Sequence, residues 1–284
     1  MKKTVLSLTT VLLIVCTIIA LSIPSMAAVP TYLFITGVEN VIDEPLIARI
    51  KALGFDVAVK SDTEFNAAAD SVGKVAIYIS ESVSSGNIVD SFNNIAVPII
   101  TSEAYIYDDM GLTLPTTDTD FGSNTTSISG KVVKSEHPIM KGVAIDFKFV
   151  SRDSIDPPPN VCWGIVPAVN ALVVDPDLPE RAIIFAYEKG EMSMEAIFPS
   201  YAFPEKRAAI TLHTTFVDGI SPDMYKIFDN AIIWAAGVDP LAPPPVEETD
   251  SENPETTDLN VIFYVLVAFS AMVGLLTLKK QNNM

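Results

Sequence analysis

Cysteine, histidine and basic residues are all scarce in this chain. It holds two cysteines and two histidines, and 18 Lys and Arg stand against 35 Asp and Glu, a net charge of −17. One cysteine, Cys16, lies in an apolar stretch near the start, so a protein trimmed there keeps only Cys162 and cannot form an internal disulfide. Two histidines cannot supply a histidine-rich metal site, and no spaced His/Asp/Glu cluster makes up for them. The acidic balance opposes nucleic acid and acidic wall polymers, whose phosphates would be repelled. No Gly-x-Ser-x-Gly elbow, phosphate loop or dinucleotide fingerprint occurs. The usual hydrolase, kinase and dehydrogenase signatures are therefore missing, and no cofactor is implied.

Both ends carry pattern. Residues 1–27 read as a secretory signal: Lys2 and Lys3, an apolar run through Leu12, Leu13, Ile14 and Ile18, then Ser25-Met26-Ala27 with small residues at the two positions a signal peptidase reads. Val15, where a lipobox needs a small residue, speaks against a lipid on Cys16. Residues 259–278 are uncharged and rich in Val, Leu, Phe and Ile, long enough for a helix across about 30 Å of hydrocarbon. Lys279 and Lys280 open the short tail, 279–284, and place it on the cytoplasmic side. Residues 240–258 are rich in proline and acid and lack aromatics, as a stalk should. The expected product is a domain spanning residues 28–239, held on the extracellular face.

Within that stalk, Asn253-Pro254-Glu255-Thr256-Thr257 stands just before the apolar segment and the basic tail. The order resembles the sorting signal of sortase-anchored wall proteins, in an Asn-Pro-x-Thr form that departs from Leu-Pro-x-Thr-Gly at its first and last positions. The resemblance implies a sortase as partner and cleavage after Thr256. A plain single-span membrane anchor is the alternative.

Between the ends, strand and helix patterns alternate. Residues 32–36, 55–59, 74–80 and 97–101 are short apolar runs that read as buried strands, with an amphipathic helix over 43–53 and a short one over 86–92. The second half changes character. Residues 127–133, 146–151, 169–174, 182–187, 194–198 and 208–213 read as strands with little helix between them, and a helix over 224–236 closes the domain. Wholly apolar strands joined through helices predict a parallel sheet covered on both faces. The fold class is α/β: a three-layer α/β/α sandwich with a mixed sheet and a parallel centre.

Several segments share one likeness: Leu33-Phe34-Ile35-Thr36-Gly37, Leu53-Gly54-Phe55-Asp56-Val57, Ile79-Ser80-Glu81-Ser82-Val83, residues 182–190, residues 207–213, and Ile233-Trp234-Ala235-Ala236-Gly237. Together they resemble the class I glutamine amidotransferase-like fold, in particular trehalose-utilisation (ThuA-like) domains of secreted bacterial proteins. The resemblance implies a flavodoxin-like sheet and a strand-to-helix elbow, which amidotransferases equip with a cysteine. The matching elbow here is Ser80-Glu81-Ser82-Val83, with no thiol. Cys162, after Pro157-Pro158-Pro159, reads as part of a loop well away from it, so glutamine hydrolysis is not expected.

Open α/β sheets bind ligands beyond the carboxyl ends of their strands, where strand order reverses. A sheet order beginning 2-1-3 would put Gly37, Ser80, Glu81, Ser82, Glu103 and His213 along that rim as a candidate ligand pocket. Ser84, Ser85 and Ser102 would stand beside them. The same serines also serve as ordinary caps and turns, and His137, before Pro138, reads as structural. Two functions remain open. One is a non-catalytic surface module binding a carbohydrate or a surface protein. The other is a sugar-processing enzyme built on Ser80, Glu81, Glu103 and His213.

Overall fold

The computed structural model describes residues 28–37, 42–124, 128–151, 159–194, 200–216 and 219–241. A compact unit ends at Leu241. The signal segment, the stalk with its Asn253-to-Thr257 motif, the apolar run 259–278 and the tail lie outside the described residues. Among the described residues no helix is long and apolar enough to cross a membrane.

The first strand shows how sequence becomes layer. β1 (Thr31–Thr36) is aromatic and β-branched, which suits a pleated strand. Alternation sends Tyr32 and Phe34 to one face of the sheet and Leu33 and Ile35 to the other, and all four are fully buried. Both faces are therefore covered. β2 (Asp56–Ser61) and β3 (Ala76–Ile79) pair with β1 in parallel, β4 (Ile99–Thr101) with β3, and β11 (Arg207–Ile210) with β4. The parallel centre thus runs β2-β1-β3-β4-β11, a doubly wound order of the flavodoxin type. The expected 2-1-3 start is present.

Beyond β11 the sheet turns antiparallel through β10 (Ala182–Tyr187), β9 (Ala171–Val174), β6 (Ser129–Val132) and β7 (Asp146–Lys148). β5 (Phe121–Asn124) and β8 (Val161–Gly164) form an antiparallel pair joined to β10. Neither of these two was expected. Both are four-residue runs interrupted or ended by glycine, Phe-Gly-Ser-Asn and Val-Cys-Trp-Gly, without the unbroken apolar character of β3. The strand expected over 194–198 falls almost wholly outside the described residues.

Two long helices cover one face. α1 (Asp43–Ala52) buries Leu46 and Ile50, with Asp43 and Glu44 in its first turn and Arg49 and Lys51 in its last, as the helix dipole favours. The closing helix, Pro222–Ala236, starts with Ser221 accepting the Met224 N–H at 3.0 Å and ends at Gly237, whose φ of 67° suits a left-handed stop. Arg49 grips Asp229 through two bonds of 2.5 and 2.6 Å, locking these helices together.

The opposite face is thinner. Among the described residues it carries only single helical turns, α2 (Ala67–Asp70) and α3 (Ser85–Ile88), with a 3-10 turn at Ala104–Ile106. The helix expected over 86–92 thus stops early. Its Ser-Gly-Asn composition has low helix propensity, and Val89 leaves the helix with φ 41°. In chain order the closing helix is α4.

Candidate functional site

The switch point lies between β1, which leads from Thr36 into Gly37, and β3, which leads from Ile79 into Ser80. Sequence reasoning would leave hydroxyls facing a ligand there. The structure turns them inward instead, onto Asp43. This carboxylate is 1% exposed. It accepts hydrogen bonds from Thr36 Oγ1, from Ser80 Oγ and, at 2.7 Å, from Ser82 Oγ. The Gly37 N–H donates to Ser82 Oγ at 2.9 Å, and the Ser82 N–H to Ser80 Oγ at 3.2 Å. A Cβ at Gly37 would stand 1.7 Å from the Ser82 carbonyl oxygen, so only glycine permits this approach. Three of the six candidate pocket residues, Gly37, Ser80 and Ser82, are therefore knitted into one closed knot. Asp43 was visible as an acid at a helix start, but nothing in the sequence tells which way its side chain turns.

The next residue, Glu81, faces the other way. Its Oε1 lies 2.8 Å from His213 Nε2, and its Oε2 accepts the Thr214 N–H at 3.0 Å. His213 Nδ1 accepts the Thr215 N–H at 3.1 Å, which leaves the proton on Nε2, directed at Glu81. The side-chain amide of Asn160 stands 3.2 Å from the same Nε2. Glu81 and His213 keep 14% and 15% of their side chains exposed, so the pair forms a half-open rim. The carboxyl ends of β3 and β11 deliver it from opposite sides of β4.

β4 itself leads to Glu103, which is 6% exposed. Burial pushes its carboxyl up to about 8; the Tyr105 N–H, bonded to Oε1 at 2.9 Å, pulls it down, and the charge of Glu81 raises it again. Glu103 therefore keeps its proton through neutral pH. Ser102 is drawn into the interior, bonded to the Tyr78 hydroxyl at 2.6 Å.

Cys162 corrects an expectation. It sits in β8 rather than in a loop, paired opposite Ser123, and its N–H donates to Thr211 Oγ1 at 2.9 Å. Burial pushes its thiol up, and the charges of Glu103 and Glu81 raise it further, placing it beside the same polar edge. Proline and glycine flanking a four-residue strand disguised it as loop. With only 2% exposure and the thiol held protonated, it is no nucleophile as it stands.

His137 caps a 3-10 turn (Pro138–Met140), its Nδ1 accepting the Ile139 N–H at 3.3 Å. Burial holds its imidazole down at about 4. Lys189 pairs with Glu205 at 2.6 Å, and Glu188 accepts the Trp234 indole N–H at 3.3 Å. Among the described residues no group of His, Cys, Asp and Glu could hold a metal ion.

No family model matches the sequence, and no curated protein is similar to it at a significant level. Solved structures do resemble it. One, from Thermoplasma acidophilum, is described as a GMP synthase component; it has a TM-score of 0.39 and 12% identity, over 73% of this chain and 95% of that one. Another is a chain of PurLQS from Thermotoga maritima, with a TM-score of 0.39 and 11% identity, over 72% of this chain and 98% of that one. At these values neither lends an activity or a residue role to this chain. The doubly wound fold is read from the strand order itself.

Proposed function

We propose that the domain is a non-catalytic module displayed outside the cell, where it binds a carbohydrate or a surface protein. One observation carries this reading: the switch point, where an enzyme of this architecture would seat its reacting group, is closed by Asp43. Ser80 and Ser82 spend their hydroxyls on that carboxylate, and the elbow offers no thiol. Display rests on the sequence alone. A signal over residues 1–27 would export the chain, and the segment 259–278 would hold it, either as a membrane anchor or until a sortase cleaves after Thr256.

Two experiments test these halves. Binding of the purified protein to a glycan array and to isolated cell surfaces is expected, without turnover. No binding to either removes the proposal. Thr256→Ala is expected to trap the protein in the membrane fraction. A native protein that is fully detergent-soluble and still carries Lys279 makes the plain anchor correct.

A second reading is favoured by the Glu81–His213 contact together with Glu103. A carboxylate oriented by an imidazole N–H, as Glu81 is by His213, can serve as a base, and a carboxyl protonated at neutral pH can serve as an acid. This supports a sugar-processing enzyme. Such an enzyme would lose turnover on His213→Asn, whereas the binding module would keep its affinity.

A further inference from the structure

Closing the switch point does not leave the carboxyl edge featureless. The segments that follow β2 and β3 diverge around an open groove of about 530 Å³, lined by Asp62, Thr63, Phe65, Asn66, Asn87 and Ser91. It lies one strand away from the plugged crevice, in the region where doubly wound sheets take their ligands. Its chemistry is that of planar amides, a carboxylate, hydroxyls and one aromatic ring.

Each part is held. Asp62 is 4% exposed, and its Oδ2 accepts the Ser84 N–H at 2.8 Å and the Asn87 Nδ2 at 3.1 Å. Among the described residues its Oδ1 meets only the Ser61 hydroxyl, at 3.4 Å, so accepting capacity remains. Asn66 spends Oδ1 on the Ala69 N–H at 2.9 Å, and among the described residues its Nδ2 has no partner. Phe65 stacks on buried Phe92 with centroids 5.2 Å apart and planes within 10°, which fixes the ring. Val89, between Asn87 and Ser91, holds φ 41°, a cost for a β-branched residue that fixes the rim on which both stand.

We infer that this groove is the binding site for a neutral carbohydrate. A pyranose presents adjacent hydroxyls that can donate to Asp62 and to Asn87 Oδ1 while accepting from Asn66 Nδ2, and it offers a C–H edge to Phe65. An anionic sugar would meet Asp62 and the strongly acidic chain, and is disfavoured. The inference rests on the binding-module reading and names the site for it.

The test uses the full chain in a zwitterionic detergent, since glycoside detergents would compete. Chitooligosaccharides and maltooligosaccharides serve as neutral probes, and hyaluronan fragments as the anionic one, each titrated by calorimetry. A neutral probe is expected to bind and the anionic one not. Asn87→Ala, at an exposed position, should weaken binding about tenfold, the worth of a lost hydrogen bond. Ser91→Trp should fill the groove and abolish binding, with the circular dichroism spectrum unchanged. Binding that survives Ser91→Trp overturns the groove and leaves the carbohydrate reading standing. Failure of every neutral probe, or preference for hyaluronan, overturns the inference itself; a protein partner on cell surfaces then remains for the broader reading.

Discussion

Replacing Asp43 with alanine strikes the knot at the switch point. The carboxylate accepts from Thr36, Ser80 and Ser82 in a nearly sealed environment. Without it three hydroxyls lose their acceptor. Thr36 has a second one in the Gly37 carbonyl at 3.2 Å, so two are left stranded. An unsatisfied buried donor costs about 1–3 kcal/mol, and a hydrogen bond to a charged group contributes about 1.5–3. The expected loss is therefore about 3–4 kcal/mol. Asp43→Asn keeps the shape and one carbonyl oxygen, and hydroxyls can rotate to accept from its amide, so about 1–2 kcal/mol is expected. Urea unfolding is the assay. With a slope of about 2 kcal/mol per molar, Asp43→Ala should move the midpoint down by about 1.5–2 M without changing the slope. A loss under about 1 kcal/mol would mean that the hydroxyls are not bound to Asp43 as described, and that the crevice is open to a ligand.

Other perturbations probe neighbouring groups. The carboxyl of Glu103 rises from an ordinary 4.5 to about 8 on folding, so between those values the folded protein holds a proton that the unfolded chain releases, and stability falls as pH rises. Glu103→Gln should flatten that decline, which at about 1.4 kcal/mol per pH unit could reach ~4 kcal/mol across the window; an unchanged pH profile would refute the burial argument. Gly37→Ala should prevent folding or shift the elbow, because its Cβ would stand 1.7 Å from the Ser82 carbonyl oxygen; a normally folded variant with native stability would contradict the close approach. Cys162 should resist alkylation in the native protein and react fully in denaturant, and fast native labelling would place it outside β8.

The parts of the fold that the sequence reveals are those buried on both faces. β1, β3 and β4 show as wholly apolar runs because no solvent side imposes alternation. α4 shows through its stripe and its Ser221 and Gly237 boundaries. β5 and β8 stay hidden, since four residues with a glycine carry no period and their pairing is set by distant partners. The site divides in the same way. Glu81, Glu103 and His213 could be placed on one edge because strand ends fix where residues emerge. Asp43 could not, because an acid in a helix's first turn serves the dipole equally well facing out. Nor does chain order reveal that Cys162 returns beside Glu103, which depends on how the antiparallel half folds back.

The most direct test of the account is the fate of a bound glycan. A neutral oligosaccharide retained by the full chain should be recovered by mass spectrometry at its original mass after prolonged incubation, equally from native protein and from His213→Asn. Recovery of shortened or modified sugar from the native protein, and of intact sugar from His213→Asn, would contradict the non-catalytic reading and make the Glu81–His213 pair an active site.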